Sequence, residues 1–294
     1  MSWPRSAWIP EVTETEEGIG IVGAGRVGTA LARRLADRGW PPAMVTSRNL
    51  DAAAVLAERV GARMATTPAQ VAAGCGVTLL AVPDGELGRV AAGIVELLPF
   101  GTRLDDKVVA HCAGVQGPEV LFACAGIGAA IAVMHPLAPI PDGDPACLEG
   151  AYLSIEGDPA AIPPLEGVAR RLGLVSFRME AVDRALYHAA AVLAGVLPVL
   201  LERQAELVGE ASGAPREVAA GLRQLLFLAA GNVRRLGPSA ALSGPTTRRD
   251  GVTTQRHQAA LAGLDSRLAE LYRLTIELAA DAAREPHRGG PQDG

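Results

Sequence analysis

Residues 18–28 read Gly18-Ile19-Gly20-Ile21-Val22-Gly23-Ala24-Gly25-Arg26-Val27-Gly28. A short apolar run ends in GxGxxG. A helical pattern then runs from Arg26 to Arg38, with Val27, Leu31 and Leu35 on one face and Gly39 as the stop. GxGxxG between a strand and a helix is a phosphate-binding turn. Gly23 permits the tight turn, Gly25 lets the backbone approach a pyrophosphate, and Gly28 lets the helix pack on the strand. Ala24, Arg26 and Val27 complete the turn, and free N–H groups at the helix start face the anion.

The next strand end decides which dinucleotide fits. An NAD site places a carboxylate about 20 residues on, for the ribose 2′-hydroxyl. Here the chain reads Thr46-Ser47-Arg48-Asn49, and the first carboxylate is Asp51, inside the next helix. A hydroxyl followed by a guanidinium suits a 2′-phosphate, because Arg grips phosphate as a fork. Ser47 and Arg48 are therefore expected to select NADP, with Arg26 adding charge. The alternative for Arg48 is a solvated residue at a helix start. Val82 and Pro83, after a later strand, are expected to line the nicotinamide ribose.

Outward from the turn, strands are predicted at 43–46, 63–65, 77–82, 107–110 and 129–133. Helical patterns at 49–60, 67–73, 86–98 and 118–124 alternate with them. Such alternation means an α/β fold with a doubly wound parallel sheet. Two more strands, 152–155 and 174–177, flank a helix at 162–171. After Met179 only helical stretches follow, at 181–210, 215–235 and 252–284. The expected division is a loose tail at 1–16, a sheet domain at 17–180, a helical domain at 181–284 and a disordered tail at 285–294.

Composition narrows the class. The 294 residues carry 27 Lys+Arg against 32 Asp+Glu, a net charge of −5, and 49% are apolar. That is too apolar for disorder. The acidic balance, without basic runs, argues against nucleic acid as a partner. Cysteines 75, 112, 124 and 147 form no CxxC, so no zinc pattern and no metal site is expected, and a reduced, cytoplasmic setting fits. The N-terminal segment has no apolar core of a signal peptide. Ala185–Leu201, the most apolar stretch, falls short of a membrane span and reads as a buried helix, so no membrane partner is expected.

Ligands of open α/β sheets bind beyond the carboxyl ends of the strands. His111-Cys112-Ala113-Gly114 and Met134-His135-Pro136-Leu137 are expected there, each following its strand. If those strands are neighbours, His111 and His135 face one cavity. Tyr187-His188 begins the first long helix after the sheet. Histidine suits acid–base work near neutral pH, although a strand-end His often only bonds a backbone carbonyl. Cys112 reads as a packing residue. Thr246 and Arg248, in the loop Ser243–Asp250, are candidates for an anionic substrate group. Asp250, Thr253 and Thr254 read equally well as helix caps.

GAGRVGTALARRL, HCAGVQG, HPLAPI, DRALYHAAAVLAG and ALSGPTTRRDG, with the later His257, together resemble one bacterial family over roughly residues 18–280. That family joins a Rossmann-like domain to an all-helical domain of unknown function, and is described as NADP-dependent oxidoreductases without an assigned substrate. It is similar in turn to 6-phosphogluconate dehydrogenase, pyrroline-5-carboxylate reductase and deazaflavin-dependent NADP reductase. The resemblance implies a doubly wound Rossmann sheet followed by an all-α C-terminal domain of the 6-phosphogluconate dehydrogenase kind, which dimerises and closes the site. Prephenate dehydrogenases share the His-Pro after a strand, at His135-Pro136 here, and this likeness implies His135 as the acid/base. His111 or His188 would then orient a small polar substrate, a carbonyl/alcohol or imine/amine pair. Two positions depart from the family pattern. Gly195-Val196 stands where a polar pair is usual, and Arg248-Arg249-Asp250 where Arg-Gly-Asp is usual. These departures keep a second reading open, a non-catalytic NADP-binding sensor or partner protein.

Overall fold

The computed structural model describes residues 18–245 and 250–282. Its first compact unit extends to Gly195, and its second begins at Val196. The first unit is built on one eight-stranded sheet. In chain order it runs β1 (Ile19–Val22), α1 (Arg26–Asp37), β2 (Met44–Thr46), α2 (Leu50–Val60), β3 (Arg63–Met64), α3 (Pro68–Gly74), β4 (Val77–Leu80) and α4 (Leu87–Leu97). It continues with β5 (Val108–His111), α5 (Phe122–Ala125), β6 (Ala130–Leu137), β7 (Tyr152–Gly157), α6 (Ile162–Leu172), β8 (Val175–Arg178) and α7 (Arg184–Gly195).

The strand order is β3-β2-β1-β4-β5-β6-β7-β8. All pairs are parallel except β6 with β7. The order reverses between β1 and β4, which makes the switch point where such sheets bind ligands. The strands are short apolar runs because both faces are covered. On one face Ile21, Leu79, Ala110 and Met134 pack with Leu31 and Leu35 of α1, Leu56 of α2 and Leu165 of α6. On the other, Val22, Leu80, Val109 and Ile131 pack with Val71 of α3, Ile94 of α4 and Cys124 of α5.

Local chemistry sets the helix ends. Asn49 caps α2 by accepting the Ala52 N–H at 3.1 Å, and Thr67 caps α3 by accepting the Gln70 N–H at 3.2 Å. The far end of α1 is tied to α6. Arg34 Nε donates to the Leu172 carbonyl at 3.1 Å and Arg38 Nε to the Arg171 carbonyl at 2.8 Å. Arg171 in turn stacks over Trp40, 4.6 Å from the ring centroid.

Two expectations about this unit change. The strand expected at 129–133 continues to Leu137, so His135 and Pro136 lie within β6 and do not follow it. Antiparallel pairing with β7, from Ala132 opposite Gly157 to Leu137 opposite Tyr152, holds that extension. Ala185–Leu201 is also not one buried helix. It breaks at Val196, just before Pro198, and Leu186, Leu193 and Val199 are exposed by 70%, 61% and 65%. Periodicity alone does not distinguish an apolar helix that is covered within its own chain from one that is not.

The second unit is helical. It contains α8 (Leu197–Ala211), α9 (Glu217–Leu236), α10 (Pro238–Ala241), α11 (Gly251–Leu264) and α12 (Ser266–Ala282). The stretch expected as one helix at 252–284 breaks at Asp265, whose backbone is extended.

Candidate functional site

Two groups of residues assemble at the carboxyl edge of the sheet. The first surrounds the turn after β1. Gly23 has φ +121°, and a Cβ there would lie 2.2 Å from the Ala81 carbonyl oxygen, so only glycine fits. Gly28 sits against the turn itself, with a Cβ position 1.9 Å from the Gly23 carbonyl oxygen. The Cβ position of Gly25, by contrast, meets nothing within 4 Å. Among the described residues no side chain caps α1, and its first turn has no acidic residue. The backbone N–H groups at its start therefore face an open space suited to an anion.

That space is part of a cavity of about 300 Å³. Its walls include Gly23, Ala24 and Gly25 from the turn, Ser47 and Arg48 after β2, and Val82 and Pro83 after β4. Of the other expected turn residues, Arg26 is exposed and Val27 packs on the core. Glu86 and Arg89 also line the cavity and were not expected. Arg48 lies 3.6 Å from Glu86, which also pairs with Arg89. The cavity mouth thus holds two guanidinium groups around one carboxylate. The available signal for Arg89 was its position in the first turn of the helix after β4.

The second group lies two to four strands from β1. Cross-strand partners share a face, and the register aligns His111 of β5 with Val133 of β6, and His135 of β6 with Ser154 of β7. His111, His135, Ser154 and Glu156 therefore line one face, and α7 lies over it. Asp183 starts α7 by accepting the Leu186 N–H at 3.0 Å. Arg184, Tyr187 and His188, spaced i, i+3 and i+4, then point the same way. Arg184 pairs with Glu156, and the Tyr187 hydroxyl lies 3.0 Å from Ser154 Oγ and 3.0 Å from His135 Nδ1. The His188 ring centre is 6.0 Å from that of His135. Gly114 closes the group, since a Cβ there would stand 2.3 Å from His188 Cδ2 and 3.0 Å from His135 Nε2.

The histidines divide by their bonds. His111 is fully buried, accepts the Ala113 N–H at Nδ1 over 3.2 Å, and so carries its proton on Nε2, which donates to the Gly117 carbonyl at 3.0 Å. Burial pushes its pKa down. Both nitrogens serve the 111–117 loop, whereas His111 or His188 was expected to orient a substrate. His135 is different. With the Tyr187 hydroxyl donating to Ser154, its oxygen accepts from His135 Nδ1–H, and Nε2 keeps a free lone pair beside Gly114. Burial, with the charges of His188 and Arg184, lowers the His135 pKa to about 4, so the ring is neutral at physiological pH. Burial also pushes the Cys112 thiol up to about 12, as befits a packing residue.

Thr246 and Arg248 lie outside the described residues. Asp250 caps α11, accepting the Thr253 N–H at 3.0 Å and the Thr253 hydroxyl at 2.7 Å. The Thr254 hydroxyl bonds the Asp250 carbonyl at 3.2 Å, so these three residues form a helix start. Among the described residues no three His, Cys, Asp or Glu side chains converge as metal ligands would.

Two family models match the chain. A Rossmann-like domain matches residues 4–136, and a domain of unknown function, DUF2520, matches residues 151–278. No curated protein matches in sequence. Among solved structures, a candidate NADP oxidoreductase from Bacteroides fragilis is similar at 22% identity and a TM-score of 0.72, over 90% of this chain and 97% of its own. A pyrroline-5-carboxylate reductase from Coxiella burnetii is similar at 18% and 0.59, over 92% and 98%. A reductive aminase from Aspergillus terreus, solved with NADPH and ethyl levulinate, is similar at 21% and 0.62, over 94% and 96%. At these identities the likeness is one of fold.

Proposed function

We propose that this chain, a Rossmann-like domain joined to a DUF2520 domain, is an NADP-dependent oxidoreductase acting on a small polar carbonyl/alcohol or imine/amine pair. One observation carries the reading. The cavity after β1 combines a glycine turn open at Gly25 with Ser47, Arg48 and Arg89 at its mouth. The turn fits a pyrophosphate, and the hydroxyl and guanidinium groups fit a 2′-phosphate, which would replace Glu86 as the partner of Arg48. NADP(H) at this site would give or take a hydride at the substrate carbon. The solved relatives named for NADP or NADPH support this assignment.

The proton that balances the hydride moves on the substrate oxygen or nitrogen. His135 Nε2, whose lone pair is free in the neutral ring, is the atom assigned to take it in oxidation. Tyr187 and Ser154 fix the ring through Nδ1, and Nε2, packed beside Gly114, makes no hydrogen bond among the described residues. From β4, where Val82 and Pro83 follow, to β6 is two strand spacings, or about 10 Å, a span that a nicotinamide ring and a small substrate beside it would together fill.

Thermal melts with NADPH, NADP⁺, NADH and NAD⁺ test the cofactor assignment. At 100 times Kd the phosphorylated pair should stabilise the chain by about 2.7 kcal/mol. Arg48→Ala with Arg89→Ala should lower the NADPH:NADH affinity ratio about 10- to 100-fold. An unchanged ratio removes both arginines from the site, and no shift with any of the four dinucleotides removes the function.

A further inference from the structure

Arg184 is a buried base with part of its hydrogen-bonding capacity unspent. Its side chain is only 9% exposed. Nη1 is bonded to Glu156, but Nε and Nη2 are buried and have no hydrogen-bond partner among the described residues. Burying unpaired N–H groups is unfavourable, and more so on a charged group. Glu156 balances the charge of Arg184 and leaves those two donors unmet.

The two donors share one edge of the guanidinium and point in parallel, the geometry that takes both oxygens of a planar anion. The same edge is used in this way elsewhere in the molecule. Arg103 holds the two oxygens of Asp105 through Nε and Nη2, at 2.7 and 2.9 Å. Arg273 holds the two oxygens of Glu270 likewise, at 2.9 and 2.6 Å. Those pairs are exposed and internal to the chain, whereas the Arg184 edge is buried within the His135 group. Tyr187 and His188 follow it on the same helix face, and its charge acts on His135, His111 and Tyr187.

We infer that the Nε/Nη2 edge of Arg184 receives a carboxylate of the substrate. The substrate is then a small carboxylic acid whose carbonyl, imine, hydroxyl or amine group lies a few bonds from that carboxylate, within reach of His135 Nε2. With Glu156 already on Nη1, a singly charged carboxylate suits the site better than a doubly charged phosphate. The inference rests on the oxidoreductase reading for the chemistry at His135. The carboxylate site itself stands or falls separately.

The test is calorimetric titration of the full chain with pyruvate, 2-oxobutyrate, levulinate and 1-pyrroline-2-carboxylate, each beside its methyl ester, with and without saturating NADP⁺. At least one acid should bind ten times or more tightly than its ester. Arg184→Lys keeps a cation for Glu156 and loses the fork, so it should raise that acid's Kd at least tenfold, with the NADP⁺ Kd unchanged. If that variant does not fold, Arg184→Gln with Glu156→Gln, which removes both charges together, should do the same. Esters binding as tightly as acids, no acid binding, acetylphosphonate binding more tightly than pyruvate, or variants that keep the acid preference would each overturn the site. Absence of NADP⁺ binding would instead sink the oxidoreductase reading, and the titrations without cofactor would still decide the carboxylate.

Discussion

The cavity after β1 and the histidine group under α7 occupy the same edge of one sheet and are made of different material. The cavity is built by backbone. Gly23 and Gly28 clear space for the turn, Gly25 leaves it open, and side chains enter only at the rim. The histidine group is built by side chains from β5, β6, β7 and α7, closed so tightly that Gly114 has no room for a methyl group. An open backbone cradle suits a ligand that many proteins share. A closed cluster of side chains suits the part of a reaction that is particular to one substrate.

Substitutions can separate the two. The largest effect is expected from His135→Ala, which should cut turnover by roughly 10²- to 10⁴-fold and leave the NADPH Kd unchanged. Steady-state rates and a binding titration on the same preparation check this, and equal losses in both would merge the two sites into one.

Next comes the response to acid. In the unfolded chain a histidine titrates near 6.5, whereas folded His135 titrates at about 4. Between those values the unfolded state binds the extra proton. Stability therefore falls as pH drops from about 6.5 to 4 and changes little from this source outside that window. The loss from His135 should be about 3 kcal/mol, with His111 adding in the same direction. Denaturant melts across pH should show a shallower slope for His135→Gln than for the parent, and equal slopes would place the titration elsewhere.

The smallest effect belongs to the cavity. Gly25 has φ −81° and an empty Cβ position, so Gly25→Ala should leave Tm where it was and raise the NADPH Kd about tenfold or more. A lowered Tm with unchanged affinity would mean that the open space at Gly25 does not receive the pyrophosphate.

The contrast also explains what could be read from the chain in advance. Gly23, Gly25 and Gly28 announce a turn because backbone constraints act over six consecutive residues. The sheet was legible for the same reason, since each strand and helix declares itself over a few residues. Ser154 and Glu156 carried no such signal. They join His135 only through the antiparallel pairing of β6 with β7, and Arg184 and Tyr187 arrive from a helix some 30 residues further on. Glu86 and Arg89 went unnoticed because a charged pair at a helix start looks like any solvated one. His111 looked like His135 by type and position, and only the bonds to Ala113 and Gly117 distinguish them.

The tie between α1 and α6 makes α1 a strut with a load at each end. Its first turn meets the phosphate site, and its last turn grips the closing carbonyls of α6 through Arg34 and Arg38. α6 packs beneath β7, the strand that holds Ser154 and Glu156. An anion seated at one end of the strut is therefore expected to stiffen the far half of the sheet without touching it, and amide exchange in α6 and β7 should slow when only the near end is filled.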